Sequence, residues 1–213
     1  MKTSFGLFGV VLTFTSSLAV AGDPKAEAIA DSVIKASGGE DWPKVKKISF
    51  TFNVEQAGKT LLSAKHEWDV ANHKDKVTWD GKTVTVDIKQ PATDEDGKAA
   101  FQRWTNDSYW LLAPLKLRDP GTNLALVPTD GAEPVDVLQL TFGAVGLTPK
   151  DSYNLYVDRT THLLKRWDYM PTADKKMTGT WDAYQKCGGL TLSTEHQMGD
   201  KRIFFTDIKV ETK

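Results

Sequence analysis

An aromatic-rich segment interrupts a long series of strand-like segments: it covers residues 98–121 and reads KAAFQRWTNDSYWLLAPLKLRDPG. Its apolar residues do not alternate with polar ones, as they would in a half-buried strand. Phe101 and Trp104 follow helical spacing, and Tyr109 begins a second apolar turn after a polar break at 106–108. The segment predicts one or two short helices that lie across a sheet. It contains no catalytic signature.

Alternation of apolar and polar residues predicts strands on both sides of this segment. The predicted strands cover 48–54, 62–68, 76–79, 83–88, 124–127, 135–142, 152–157, 163–170, 176–186, 190–198 and 202–211. Asp80-Gly81 is a strong hairpin signal between two of them. An amphipathic helix, 24–37, precedes the strands and has Asp23 as its N-cap. These elements predict a mainly β (α+β) fold: a large, curved antiparallel sheet of about eleven strands with helices against one face.

The first residues are typical of a cleaved secretory signal. Lys2 precedes an uncharged apolar run, 5–20, and Ala19 and Ala21 place small residues before a cleavage site. A retained membrane anchor is the alternative, but a span needs roughly 20 apolar residues and this run contains several Ser and Thr. We expect a signal peptide at 1–21, a single domain at 22–213 and a soluble protein outside the cytoplasm.

The charge of the chain bears on its possible partners, and its cysteine content bears on what stabilises the fold. The formal net charge is −1 without a long run of one sign, so the sequence does not favour a nucleic-acid partner. Cys187 is the single cysteine, so no internal disulfide forms and the fold depends on its own core.

Motifs for catalysis and metal binding are missing from the sequence. No Gly-x-Ser-x-Gly elbow occurs, and the four histidines lack HxH or HExxH spacing. Strands can bring distant residues together, so a metal site or a secreted hydrolase with strand-borne groups stays open. The sequence favours solvated or singly hydrogen-bonded imidazoles, and it predicts no enzyme, no cofactor and no metal.

The order of elements is similar to the LolA-like family of lipoprotein carriers. The segments that resemble this family are LKLRDPG at 115–121, YVD at 156–158 with LKRW at 164–167, and IFFTDI at 203–208. The resemblance covers essentially all of 22–213. It implies an unclosed barrel with a helical lid on its concave face, a periplasmic location, and an apolar space that accepts acyl chains. Membrane-bound donor and acceptor proteins would be partners.

The tryptophan content agrees with a ligand cleft. Seven Trp in one domain suit the lining or rim of a cleft, since Trp favours places where one edge is wet; the alternative is that they fill a thick core. We expect a monomeric carrier or chaperone that binds acyl chains of lipids or lipoproteins between the sheet and a lid at 101–117. A secreted, non-catalytic binding module for protein or carbohydrate with a solid core is the alternative. The residues expected to line the cleft and lid are Phe50, Phe52, Trp68, Trp79, Phe101, Trp104, Trp110, Leu111, Leu115, Trp167 and Trp181.

Overall fold

The N-terminal helix, α1 (Pro24–Ala36), begins as its capping residues dictate. Asp23 accepts hydrogen bonds from the first backbone N–H groups, including that of Lys25 at 3.0 Å, and a proline occupies the first turn. The buried side of the helix, which includes Val33, packs near the edge of the sheet that residues 122–127 form. This computed structural model describes residues 22–90, 92–143 and 145–213. The signal peptide expected at 1–21 lies outside them.

The strands of the described residues form one antiparallel sheet. They are β1 (Val45–Gln56), β2 (Lys59–Asp69), β3 (Lys74–Trp79), β4 (Lys82–Asp87), β5 (Thr122–Val127), β6 (Val135–Phe142), β7 (Ser152–Asp158), β8 (Leu164–Thr172), β9 (Lys175–Thr180), β10 (Asp182–Cys187), β11 (Leu190–Met198) and β12 (Lys201–Thr212). Their order is β4-β3-β2-β1-β12-β11-β9-β8-β7-β6-β5, and β10 also pairs with β11. Because β4 and β5 are opposite ends of this order, the sheet is not closed into a barrel. The predicted mainly β fold is confirmed.

The predicted strand at 176–186 is two strands. Trp181 lies between β9 and β10 with only 2% of its surface exposed, and Ala183 has a positive φ of 50°. The chain therefore leaves its pairing with β8 and continues beside β11. This break raises the number of strands from about eleven to 12 within the described residues.

The helical segment is one long helix, α2 (Glu95–Leu112), followed by a 3₁₀ turn at Ala113–Leu115. The helix begins before residue 98 because Asp94 caps it, accepting a hydrogen bond from the N–H of Gly97 at 2.8 Å. The predicted break at 106–108 is wrong. Asp107 is buried there against His66 of the sheet, so its polarity marks a buried contact and not a turn.

The core lies between the two helices and one face of the sheet. Alternate residues of the central strand β1, among them Ile48, Phe50 and Phe52, are buried, as a period of two requires. They belong to one apolar cluster with buried residues of α1 and of the C-terminal half of α2. A smaller cluster around Trp79 lies beneath the N-terminal half of α2. No helix within 22–90, 92–143 and 145–213 is long and apolar enough to cross a membrane.

Candidate functional site

The eleven residues expected to line the cleft and lid belong to two apolar clusters or pack against them. Eight of them are buried: Phe50, Phe52, Trp68, Trp79, Trp110, Leu111, Trp167 and Trp181. The other three are partly buried: Phe101, Trp104 and Leu115.

The space beneath the N-terminal half of α2 is filled by side chains. Trp104 of the helix meets the edge of Trp68 with 5.4 Å between ring centroids, and Phe101 lies 5.6 Å from Trp104. Below them, Phe50 stacks on the ring of His66 at 4.6 Å. Such edge-to-face and stacked contacts are the packing of a solid core. This part of the expected cleft is therefore closed in the structure.

A pocket of about 370 Å³ lies beside the C-terminal half of α2. The helix, the loop between β6 and β7, and the strands β7 and β8 form its walls. The lining residues are Thr105, Asn106, Tyr109, Trp110, Phe142, Val145, Gly146, Leu147, Thr148, Asp151, Tyr153, Trp167, Tyr169 and Met198. Of the eleven residues expected from the sequence, Trp110 and Trp167 line this pocket.

Aromatic rings form the inner wall of the pocket. Tyr153 lies 4.9 Å from Trp167 and stacks on Tyr169 at 5.1 Å, while Trp110 lies 4.6 Å from Trp167. The register explains the grouping, because Tyr153 pairs directly with Tyr169 and side chains two apart on β8 share a face. The sequence reasoning missed Tyr153 and Tyr169. The alternation on β7 and β8 was the signal that could have identified them.

The mouth of the pocket is partly apolar. Val145 and Leu147, on the loop between β6 and β7, are 41% and 52% exposed. They are among the few large apolar side chains that the described residues leave in water. An exposed apolar rim next to an apolar pocket is typical of a surface that contacts an apolar ligand or partner.

One carboxylate is buried in the pocket wall. Asp151 is 8% exposed, and its Oδ2 accepts a hydrogen bond of 2.9 Å from the hydroxyl of Tyr169. Burial, followed by this hydrogen bond, raises the pKa of Tyr169 to about 12. Burial also raises the pKa values of Tyr109 and Tyr153. All three phenols therefore keep their protons at neutral pH and can act as hydrogen-bond donors.

A second polar cluster connects α2 to the sheet. The Nδ1 of His66 lies 2.7 Å from Oδ2 of Asp75, and its Nε2 lies 3.1 Å from Oδ2 of Asp107. Burial disfavours the charged imidazole, but the hydrogen bonds to Asp107 and Asp75 outweigh it and raise the pKa of His66 to about 9. The ring is therefore protonated and donates from both nitrogens. The expectation of solvated or singly hydrogen-bonded imidazoles is wrong for His66.

His196 is the other buried histidine, and its surroundings are apolar. Its Nδ1 lies 2.9 Å from the carbonyl oxygen of Thr180, and its ring packs against Trp110 and Trp181. Burial lowers the pKa of His196 to about 4, so the ring is neutral and Nδ1–H donates to that carbonyl. Within the described residues, no group of three or more His, Cys, Asp or Glu side chains is arranged to hold a metal ion.

The opposite face of the sheet carries a larger but charged groove, of about 850 Å³. Lysines and carboxylates from β1, β2, β3 and β12 line it. Glu67 pairs there with Lys65 at 3.0 Å and with Lys76 at 2.8 Å. Mutual pairing of charges leaves a polar surface with both signs, which does not suit an apolar chain.

Comparison with known proteins shows similarity in fold. No family model and no curated protein matches the sequence. Among solved structures, the LolA superfamily protein NE2245 from Nitrosomonas europaea is 10% identical, with coverage of 86% of this chain and 94% of that chain and a TM-score of 0.51. A DUF1329 family protein from Desulfovibrio piger is 12% identical, with 87% and 93% coverage and a TM-score of 0.47. MucB in complex with MucA(peri) is 14% identical, with 88% and 56% coverage and a TM-score of 0.30. The similarity to NE2245 shows that the chain has a LolA-like fold.

Proposed function

We propose that the protein is a soluble periplasmic carrier or chaperone that binds acyl chains of lipids or lipoproteins. The observation that carries this proposal is the aromatic pocket of about 370 Å³ beside the C-terminal half of α2. Its volume lies within the roughly 300–1,000 Å³ of small-molecule sites, and such sites are lined mainly by apolar and aromatic side chains. The LolA-like fold supports the same reading.

Burial of methylene groups supplies the binding energy in this proposal. Each buried methylene contributes roughly 0.8 kcal/mol, so eight of them contribute on the order of 6 kcal/mol before the costs of association. The apolar rim at Val145 and Leu147 would contact the part of the chain that stays outside. Binding and release need no cofactor and no catalytic residue. Membrane-bound donor and acceptor proteins would load and unload the ligand.

In this proposal, the ligand binds beside the C-terminal half of α2, which is only part of the region expected from the sequence. Ligand contacts concentrate on Trp110, Trp167, Tyr109, Tyr153 and Tyr169, whereas the residues beneath the N-terminal half of α2 form the packed support of the lid. A longer chain would enter that packed region only if α2 moves away from the sheet.

Two exposed leucines give a matched test. Leu147 at the pocket mouth is 52% exposed, and Leu61 on β2, away from the pocket, is 53% exposed. We expect wild-type protein to carry a lipid-sized adduct in native mass spectrometry and to bind the neutral fluorescent probe N-phenyl-1-naphthylamine. Leu147→Glu should weaken probe binding at least about tenfold, because a charge at the mouth must lose water when the probe binds. Leu61→Glu should leave it unchanged. Equal effects of the two changes would contradict the proposal.

A solid-cored binding module for protein or carbohydrate is the second candidate. The filled space between Trp68, Phe101 and Trp104 favours it, because no ligand fits there while α2 stays in place. The same measurements separate the two candidates. Wild-type protein that carries no adduct and binds no apolar probe supports the binding module and rejects the carrier.

A further inference from the structure

The charge inside the pocket has one sign. Asp151 is the only charged side chain among the described lining residues, and these include no Lys, Arg or His. Lys150 precedes Asp151 in the chain, but its side chain is exposed and does not line the pocket. A ligand head group placed beside Asp151 therefore meets a carboxylate without a compensating cation in the wall.

Some polar atoms of the residues that line the pocket have no hydrogen-bond partner among the described residues. Oδ2 of Asp151 is occupied by the hydroxyl of Tyr169, whereas Oδ1 accepts no hydrogen bond from any residue that the structure describes. The hydroxyls of Tyr109 and Tyr153 likewise make no hydrogen bond to a described residue. Their pKa values are raised by burial, with a further contribution from the charge of Asp119 at Tyr109 and of Asp151 at Tyr153. Among its polar groups, the pocket thus offers an acceptor at Asp151 and phenolic donors at Tyr109 and Tyr153.

These groups discriminate between kinds of ligand head. A carboxylate head would be repelled by Asp151 and would lose its water without gaining a cation, which is costly in an apolar pocket. An uncharged head with an N–H or O–H group can donate to Oδ1 of Asp151, and its own oxygen can accept from Tyr109 or Tyr153. An amide offers both groups, a donor and an acceptor, at one position.

We propose that the pocket takes an apolar chain joined to an uncharged head that carries a hydrogen-bond donor, such as a fatty amide or alcohol, and that it rejects the carboxylate of a free fatty acid. This inference rests on the proposed function, because it names the head group of the ligand for the same pocket.

The test compares ligands with the same chain and different heads. Decanoate, decanol and decanamide are titrated at pH 7.5 against protein with bound N-phenyl-1-naphthylamine, and the concentration that displaces half of the probe is measured. A neutral head leaves water at a lower cost than a carboxylate in any apolar pocket. The informative quantity is therefore the half-displacement concentration of decanoate divided by that of decanol, and how this ratio changes between variants. Asp151→Asn removes the charge and keeps an acceptor for Tyr169. We expect Asp151→Asn to lower this ratio at least about tenfold, mainly because decanoate binds more tightly to the variant.

Two further variants complete the design. Asp80→Asn, in the exposed turn between β3 and β4, removes one carboxylate outside the pocket and should leave the ratio at the wild-type value. Thr148→Lys places a cation on the exposed part of the pocket wall and should narrow the ratio at least about threefold. It remains informative if Asp151→Asn does not fold, which circular dichroism would reveal.

The outcomes separate the two proposals. Failure of wild-type protein to bind the probe or any of the three ligands overturns the carrier function itself. Binding of the probe with a ratio that neither Asp151→Asn nor Thr148→Lys changes overturns the head-group inference and leaves the carrier function in place. A narrowed ratio in both variants, with Asp80→Asn at the wild-type value, supports the inference.

Discussion

The Nε2 of His66 on β2 lies 3.1 Å from Oδ2 of Asp107 in the middle of α2, and both side chains are buried. On the other side of the ring, Nδ1 of His66 lies 2.7 Å from Oδ2 of Asp75 on β3. A protonated imidazole shared by two carboxylates thus joins α2 to two neighbouring strands. A charged hydrogen bond in an apolar setting is strong, and the loss of one partner is costly because the other charge stays buried.

Stability should fall at alkaline pH because of His66. Its pKa in the folded protein is about 9, above the ordinary value of 6.5, so its contribution is complete below about pH 6.5 and is lost as the pH rises through 9. The shift corresponds to a contribution on the order of 3 kcal/mol. We expect the midpoint of thermal unfolding to drop between pH 7 and pH 9.5, and His66→Gln to remove most of this drop.

The exposed His73, in the turn between β2 and β3, provides the control for this pH dependence. His73→Asn suits the positive φ of 56° at that position and should keep the wild-type pH profile. A wild-type midpoint that stays constant between pH 7 and pH 9.5 would show that His66 is not a charged partner of Asp75 and Asp107.

Replacement of Asp107 should loosen α2 specifically. Asp107→Asn leaves the His66 imidazolium with one carboxylate, and breaking a buried pair costs roughly 3–5 kcal/mol. Hydrogen exchange of α2 amides should become faster than in wild type, while amides of β1 and β12 should change less. Asp96→Asn on the same helix is the control, because Asp96 pairs with Lys82 at 2.7 Å on the surface and such pairs contribute about 0–1 kcal/mol. Similar exchange in the two variants would contradict the role of Asp107.

Truncation of a buried side chain in α2 should lower the stability of the protein. Leu111 is 1% exposed within the large apolar cluster, and Leu→Ala changes at such positions cost roughly 2–5 kcal/mol. Urea unfolding of Leu111→Ala should therefore show a clear loss. Leu115→Ala, at a partly buried position in the 3₁₀ turn, should cost less. If Leu111→Ala unfolds at the wild-type urea concentration, α2 does not pack on the sheet as described.

Export can be tested directly. Expressed with residues 1–21 in a Gram-negative host, the protein should be recovered from the periplasm with its N-terminus at Gly22, because Ala19 and Ala21 suit the cleavage site. Mass analysis of the purified protein gives the cut. Full-length protein in the membrane fraction would overturn the expected location.

The sequence predicted features that depend on local periodicity. Alternation along β1, where Ile48, Phe50 and Phe52 face the core, follows from side-chain geometry within one strand, so the strands were predicted well. The break at Trp181 was missed because it depends on which strands lie on either side. Asp107 was misread for a similar reason: its partner, His66, is 41 residues away, and no local rule connects them.

The candidate site was predicted in part. Trp110 and Trp167 were expected to contact a ligand, and both line the pocket. Burial on the covered face could be predicted from alternation, but whether a covered region is open or filled depends on the fit of distant side chains. Trp68 and Trp104 fill their region, and only the three-dimensional arrangement reveals this. The loop with Leu147 and Asp151 has no periodicity from which its place at the pocket could be predicted.

The pairing of β1 with β12 puts the first and last strands of the described chain side by side in the middle of the sheet, with Val45 opposite Thr212. The strands on either side of this pair form from neighbouring hairpins, whereas this pair closes a loop of most of the chain and carries a large entropic cost. Because the chain is made from its N-terminus, β1 has one unpaired edge until β12 becomes available. A nascent or truncated chain that stops before Lys201 would expose the backbone edges of β1 and β11, and both are open to strand addition by other chains.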